Sequence, residues 1–311
     1  MTTPSRVIVV GDKKSPKEYN CKKVIFLPYD IKLGFKLENV LPYNHYCRKM
    51  LGYLYSMQEG AEIIYDTDDD NKPLDNWELP IFNGTFNEVF SPDGFINVYK
   101  FYTSENIWPR GYPLELIRQN KELYLQNQSV QKNIEIGIWQ SLTDNEPDVD
   151  VIYRLTDNRL INFKKKDPIV LSKGTVCPFN SQATAFRKEL FPLLYLPTTV
   201  TFRFTDILRG LIAQPIMWDA GYNLGFTAPM VVQKRNDHNY LNDFELEIPC
   251  YLLAQKVVNI AKKSISKKDS IFNNLQNIYE ALSKENIVDK NELITLEAWI
   301  NDTKNLLKSE D

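Results

Sequence analysis

Apolar positions fall into short continuous runs through the first two-thirds of the chain and into helical stripes near its end. The run at residues 6–11 predicts a buried strand, with Asp12-Lys13-Lys14-Ser15-Pro16 as its turn. Lys23-Val24-Ile25-Phe26-Leu27 predicts a second strand, closed by Pro28. A helix is expected after Pro42 with Asn44 as N-cap, since Tyr46, Met50, Tyr53, Leu54 and Met57 recur at helical spacing and Gly60 can end it. Ile63-Ile64-Tyr65 then reads as the middle of a strand buried on both faces, hence parallel and central. Residues 95–102 suggest a further strand, and Trp108-Pro109-Arg110-Gly111-Tyr112-Pro113 a rigid turn. Gly137-Ile138-Trp139-Gln140 leads into an acidic loop, Pro147-Asp148-Val149-Asp150-Val151. Residues 173–186 read as strand, loop and strand around Cys177-Pro178-Phe179-Asn180-Ser181, and Asp206 opens a helix through Leu208 and Leu211 with Gly221 near its end. From Glu247 onward the pattern is helical, with stripes at Leu275, Ile278 and Leu282 and at Leu293, Leu296, Trp299 and Ile300. Alternating strands and helices followed by a helical tail predict an α/β domain over residues 1–246. A C-terminal helical segment over 247–311 caps that domain or offers a surface to a protein partner or a second copy.

Composition narrows this picture. With 311 residues, 43% hydrophobic and 12% aromatic, the chain is globular and large enough for a sizeable core. A net charge of −3 argues against nucleic acid as the main partner, and Lys164-Lys165-Lys166 reads as a solvated loop. Four scattered cysteines without a Cys-x-x-Cys pair read as reduced thiols of a cytoplasmic protein. No apolar run reaches the ~20 residues that span a bilayer, and the first five residues are no signal peptide, so a soluble chain is expected.

The concentrated chemistry lies just past Ile63-Ile64-Tyr65, where Asp66, Asp68, Asp69 and Asp70 crowd into five residues. Open α/β sheets bind ligands beyond the carboxyl ends of their strands, which is where these acids fall. Such carboxylates repel one another by a few kcal/mol at an effective dielectric of ~20, so water or a cation must relieve them. Oxygen-only donors suit Mg²⁺ or Mn²⁺. Asp68 and Asp70, two apart, can point to one side, although Asp66 with Asp68 is an equally good pair. Arg48 and Lys49 precede the acidic strand as cationic partners for phosphate. Arg110, on a turn stiffened by two prolines, suits a planar cation against phosphate or sugar oxygens, or else a buried structural ion pair. Asp206, at a helix start, reads either as a cap or as a base for an acceptor hydroxyl.

Taken in order, the blocks Leu41-Pro42-Tyr43 to Arg48-Lys49, Gly52-Tyr53-Leu54 and Tyr65-Asp66-Thr67-Asp68-Asp69 resemble the STELLO glycosyltransferase-like family. So do Trp108-Pro109-Arg110-Gly111-x-Pro113-Leu114-Glu115, Pro147-Asp148-Val149-Asp150, Asn180-Ser181 and Asp206-x-Leu208-Arg209-Gly210, across residues 6–305. A more distant similarity is to the reversibly glycosylated polypeptides, which are UDP-arabinopyranose mutases. The resemblance implies a GT-A-like nucleotide-diphospho-sugar transferase sandwich, a Rossmann-like mixed sheet. It also implies a metal-dependent glycosyltransferase with a UDP-sugar donor and a carbohydrate or glycoconjugate acceptor. On that reading Asp206 and Arg110 are catalytic, and Asp68, Asp70 and His238 hold the Mn²⁺ or Mg²⁺. Arg48, Lys49, Asp66, Asp68, Asp69, Arg110, Asn180 and Arg209 bind the nucleotide sugar. Two departures accompany the likeness. The family's first strand has no counterpart here, because residues 6–11 match its second, which suggests a shortened chain. The late histidine that completes the metal site in mutase-like families is matched by Gln233, with Asp237 or His238 as nearby substitutes. A mutase using Arg110 as temporary sugar holder, and a non-catalytic scaffold, are the alternatives.

Overall fold

The computed structural model describes residues 6–308 except 20, 76, 119–123, 126–132, 236–237 and 268; Asp237 therefore lies outside the described residues. β1 (Val7–Val10) and β2 (Val24–Leu27) pair in parallel as a small separate sheet. β3 (Ile63–Thr67), β4 (Asn71–Pro73), β5 (Asn83–Thr85), β6 (Asn87–Phe90), β7 (Tyr124–Leu125), β8 (Asn133–Asp144), β9 (Ile169–Leu171), β10 (Ala183–Arg187) and β11 (Asn223–Gln233) build a nine-stranded mixed sheet. Its main path runs β3-β10-β8-β11-β9-β6-β7, with β4 on β11 and β5 on β8. The helices are α1 (Lys49–Gln58), α2 (Tyr99–Tyr102), α3 (Val151–Thr156), α4 (Thr205–Asp219), α5 (Tyr240–Ser264), α6 (Ile271–Lys284) and α7 (Glu292–Lys308). The mixed α/β architecture is as expected.

Several local expectations change. β3 is neither central nor paired in parallel: it ends the sheet path and hydrogen-bonds antiparallel to β10. Its burial alternates, with Ile64 and Asp66 inside and Ile63 and Tyr65 half-buried, as in a strand covered on one face only. Residues 95–102 form one bridge, Phe95 to Val176, and then the short helix α2 rather than a strand. Asn44 is not an N-cap; it sits at φ +52°, and the chain enters α1 through a 3₁₀ turn, Tyr46–Arg48, capped by the His45 side chain. Gly60, at φ +76°, ends α1 as expected.

One extended hydrophobic core joins the sheet to the C-terminal helices, through Leu54 of α1, Ile138 of β8, Leu208 and Leu211 of α4, Val257 of α5 and Trp299 of α7. The boundary expected between residues 246 and 247 falls inside α5. α4 is buried on nearly every side, and the charged residues of its first turns, Asp206 and Arg209, are buried with it in ion pairs. Among the described residues, no helix is long and apolar enough to cross a membrane. All four cysteines are free thiols, and only Cys21 is exposed.

The topology decides where chemistry can gather. β3 and β8 both run antiparallel to β10, and β11 runs parallel to β8. The carboxyl ends of β3, β8 and β11 therefore share one edge of the sheet with the amino end of β10. Thr67 is opposite Ala183, and Asp144 is opposite Val232.

Candidate active site

Four loops leave this edge: residues 68–70 after β3, 145–150 after β8, 180–182 before β10 and 234–235 after β11. The first turn of α4 closes the group from the helical side. Asp66, on the buried face of β3, is 1% exposed and lies between two cations, with Lys49 Nζ at 2.7 Å and Arg209 Nη1 at 3.1 Å. Burial alone would raise its pKa, but these two charges outweigh it and lower it. Arg209 also donates to the Asn180 carbonyl at 3.1 Å and to Ser181 Oγ at 2.8 Å, and so clamps the loop before β10.

Asp68 lies in the turn beyond β3 and accepts from Tyr46 Oη at 2.9 Å and Lys49 Nζ at 3.2 Å. Its pKa is pushed up to about 6 by burial; Lys49 opposes the rise and Asp66 adds to it. Asp69 is exposed. Asp70 accepts from Gln233 Nε2 at 3.0 and 2.9 Å, and Gln233 Oε1 in turn accepts from Gln182 Nε2 at 2.6 Å. Gln233 thus orients one carboxylate of the acidic tip.

Beside this group, Arg110 is 5% exposed and forks onto Asp148, Nε to Oδ1 and Nη2 to Oδ2, both at 2.8 Å. Nη2 also reaches Asp206 Oδ1 at 3.1 Å, and Nη1 donates to the Arg203 carbonyl. All three guanidinium nitrogens are engaged by the protein. Gly111, at φ +84° with Ile207 Cγ2 only 2.5 Å from where a Cβ would stand, lets this turn press against α4. Burial would raise the Asp148 pKa, but Arg110 outweighs it and holds the carboxyl at about 2. Burial disfavours the Arg110 charge, yet Asp148 and Asp206 together raise its pKa well above the ordinary value. Asn180 Nδ2 donates to Asp148 Oδ2 at 2.6 Å.

Asp206 is not the helix cap, a position held by Phe204; its carboxylate accepts from the Ser181 N–H at 3.2 Å as well as from Arg110. The structure therefore brings together Lys49, Asp66, Asp68, Asp70, Arg110, Asn180, Asp206 and Arg209. It does not bring in Arg48, which donates to the Tyr29 carbonyl at 3.1 Å and faces Asp12 at 3.8 Å. Nor does it bring in His238, whose Nδ1 lies 3.0 Å from Asp243 at the start of α5. Among the described residues, no three His, Cys, Asp or Glu side chains gather as a metal cluster.

Asp148 and Tyr46 are the residues that sequence reading left out. Asp148 stands in the acidic loop beside Asp150, and a capping signal accounts only for the latter: Asp150 accepts from the Tyr153 N–H at 3.0 Å and caps α3. The unexplained acid of the pair was the clue. Tyr46 fits the apolar stripe of α1, and nothing in its spacing distinguishes a tyrosine that turns its hydroxyl to an acid. Five carboxylates, Asp66, Asp68, Asp70, Asp148 and Asp206, thus gather with the cations Lys49, Arg110 and Arg209.

The comparisons with known proteins agree with the resemblance. The family model "STELLO glycosyltransferases" matches residues 203–309, from just before Asp206 through the C-terminal helices. "Probable glycosyltransferase STELLO1" of Arabidopsis thaliana is 27% identical over 322 aligned residues, covering 96% of this chain and 41% of that protein. "Probable glycosyltransferase STELLO2" of the same plant is 25% identical over 320, again covering 96% and 41%. The chain thus spans about two-fifths of the length of the curated relatives it matches, and its similarity to the STELLO proteins extends over nearly all of its own length.

Proposed function

We propose that this STELLO-like chain is a glycosyltransferase of GT-A type, moving a sugar from a nucleotide diphosphate, UDP, to a carbohydrate or glycoconjugate acceptor. The observation that carries the reading is the meeting of the β3, β8 and β11 ends around five carboxylates, Asp66, Asp68, Asp70, Asp148 and Asp206, that outnumber the cations paired with them. Asp68 and Asp70 fit a Mn²⁺ or Mg²⁺, which binds through one or two carboxylates and completes its shell with phosphate oxygens and water. Asp66 is kept from it by Lys49 and Arg209. When bound there, the ion supplies Lewis-acid stabilisation of the departing diphosphate.

Asp206 lies within electrostatic reach of Asp68 and is oriented by Arg110 and the Ser181 N–H. It takes the proton of the acceptor hydroxyl as that oxygen bonds to the anomeric carbon and the bond from that carbon to the diphosphate breaks. Arg110 acts through Asp206 and Asp148 by holding both in place. A mutase would need an unprotonated Arg110 nitrogen as sugar holder. A guanidinium whose nitrogens all donate to protein acceptors, and whose charge two carboxylates favour, supports transfer instead.

The test is a melting experiment with UDP, with and without Mn²⁺. Saturation at about a hundred times the dissociation constant adds about 2.7 kcal/mol, which is an easily read shift. Asp68→Asn and Asp70→Asn are expected to lose the Mn²⁺-dependent part and keep the fold. Asp206→Asn is expected to keep UDP binding and lose turnover of a UDP-sugar. Absence of any UDP shift in the wild type would leave the scaffold reading in possession.

A further inference from the structure

A diphosphate donor needs a cation, and those nominated from the sequence are already engaged. Arg48 serves Tyr29 and Asp12, Lys49 serves Asp66 and Asp68, Arg110 serves Asp148 and Asp206, and Arg209 serves Asp66. Arg235 differs. It follows by two residues the Gln233 that holds Asp70, and its backbone N–H donates to Glu146 Oε2 at 2.7 Å. The backbone thus lies against the β8 exit loop that carries Asp148. The residue is half-buried, and among the described residues its guanidinium makes neither a hydrogen bond nor an ion pair.

Its surroundings sharpen the contrast. Arg203 and Arg154 are both buried and both partnered, Arg203 by Glu247 at 2.5 Å and Arg154 by the Pro147 carbonyl at 2.8 Å, Asn158 at 3.2 Å and, more loosely, Glu146 at 4.0 Å. Burial, followed by repulsion from these two arginines, lowers the Arg235 pKa, while Asp148 and Asp243 pull it back. Of the three arginines, Arg235 is the one whose guanidinium has no hydrogen-bond or ion-pair partner among the described residues. A half-buried guanidinium in that position gains most from a phosphate-type oxyanion, two of whose oxygens its planar fork can hold with parallel hydrogen bonds.

We infer that Arg235 is the diphosphate-binding cation of this site, reaching the donor's phosphate oxygens from the β11 exit beside the acidic tip. The inference rests on the glycosyltransferase reading above and names the residue that reading lacks. It gives Gln233 and Arg235 a joint purpose: one presents the tip carboxylate to the cation, and the other meets the anion that the cation accompanies.

The test titrates the full chain, as wild type, Arg235→Ala and Arg235→Lys, with UDP, inorganic pyrophosphate and uridine in the presence of Mn²⁺ at two salt concentrations. Arg235→Ala is expected to weaken UDP and pyrophosphate at least tenfold and to flatten their salt dependence. The lysine variant should fall between, because it keeps the charge and loses the fork. The alanine variant removes no partnered group and relieves repulsion, so its unliganded melting temperature is expected to be no lower than wild type. Unchanged affinity of Arg235→Ala for both phosphate ligands overturns the inference and leaves the glycosyltransferase reading intact. Arg235-dependent pyrophosphate binding with no UDP binding upholds an anion site and overturns that reading. A wild type that binds neither ligand overturns both.

Discussion

Arg110 and its two acids show how a residue's role follows from its partners rather than from its type. An arginine on a proline-stiffened turn reads equally well as a ligand cation or as a structural ion pair, and the carboxylates that decide between them come from a loop 38 residues away and a helix turn 96 residues away. The pairing has a measurable consequence. The folded-state pKa of Asp148 is about 2 against an ordinary 3.8, so its stabilisation is fully present above pH 4 and is lost as pH falls toward 2. Asp148→Asn is expected to lower stability by about 2 kcal/mol at pH 7, and the gap should close between pH 4 and pH 2. Urea unfolding at pH 7, 4 and 2.5 measures this, and equal stability of the two proteins at pH 7 would show that Asp206 alone satisfies Arg110. Tyr46 teaches the same lesson from the opposite side: periodicity assigned it to the core stripe, whereas its hydroxyl serves Asp68.

At the scale of elements, the site depends on how closely α4 approaches the loop before β10. A Cβ at Gly210 would stand 2.3 Å from the Phe179 carbonyl oxygen, so this helix turn packs directly on backbone. One turn further on, Gln214 bonds both the N–H and the carbonyl of Cys177, each at 3.1 Å. Gly210→Ala must push the loop or the helix aside, and the neighbouring Arg209 carries the shift to Asp66 and Asn180. A loss of about 1–3 kcal/mol is expected, with weakened UDP binding. Melting and titration of this variant check it; unchanged values would mean that the loop yields freely. The glycine was visible in the sequence as part of a family block, but its reason was not, because the obstructing carbonyl lies 31 residues earlier in the chain. The misplaced β3 has a similar origin, since three apolar residues in a row say nothing about how many neighbours a strand will find.

For the whole molecule, the question is whether the helical tail is a separate unit. Glu292, fully buried at the start of α7, accepts from the N–H groups of Thr198 at 2.9 Å and Thr199 at 2.8 Å, from the Thr199 hydroxyl at 2.7 Å and from Tyr195 Oη. Those residues lie on the segment that leads into α4, so the last helix braces the approach to Asp206. Asp302 of α7 likewise accepts from the Lys36 and Leu37 N–H groups, at 3.1 and 2.8 Å. Glu292→Ala leaves the buried Tyr195 hydroxyl and several partly buried donors of Thr198 and Thr199 unpaired and is expected to cost about 3 kcal/mol. Calorimetry of the wild type should show a single cooperative transition, lowered as a whole in this variant. Two resolved transitions would restore an independent helical segment.

The sequence by itself determined the α/β class, the helical tail, the acidic tip after an apolar strand and the family likeness, because each is written in neighbouring residues or in ordered blocks. It also placed Asp66, Asp68, Asp70, Arg110, Asn180, Asp206 and Arg209 among the candidates without saying how they divide the work. Tertiary structure alone decided that Asp66 is neutralised from within, that Asp148 locks Arg110, that Gln233 holds Asp70 and that the Arg235 guanidinium finds no partner among the described residues. These are statements about which charges meet. Pairing energy depends on distance and burial, and both arise only when the ends of β3, β8 and β11 are brought to one edge of the sheet.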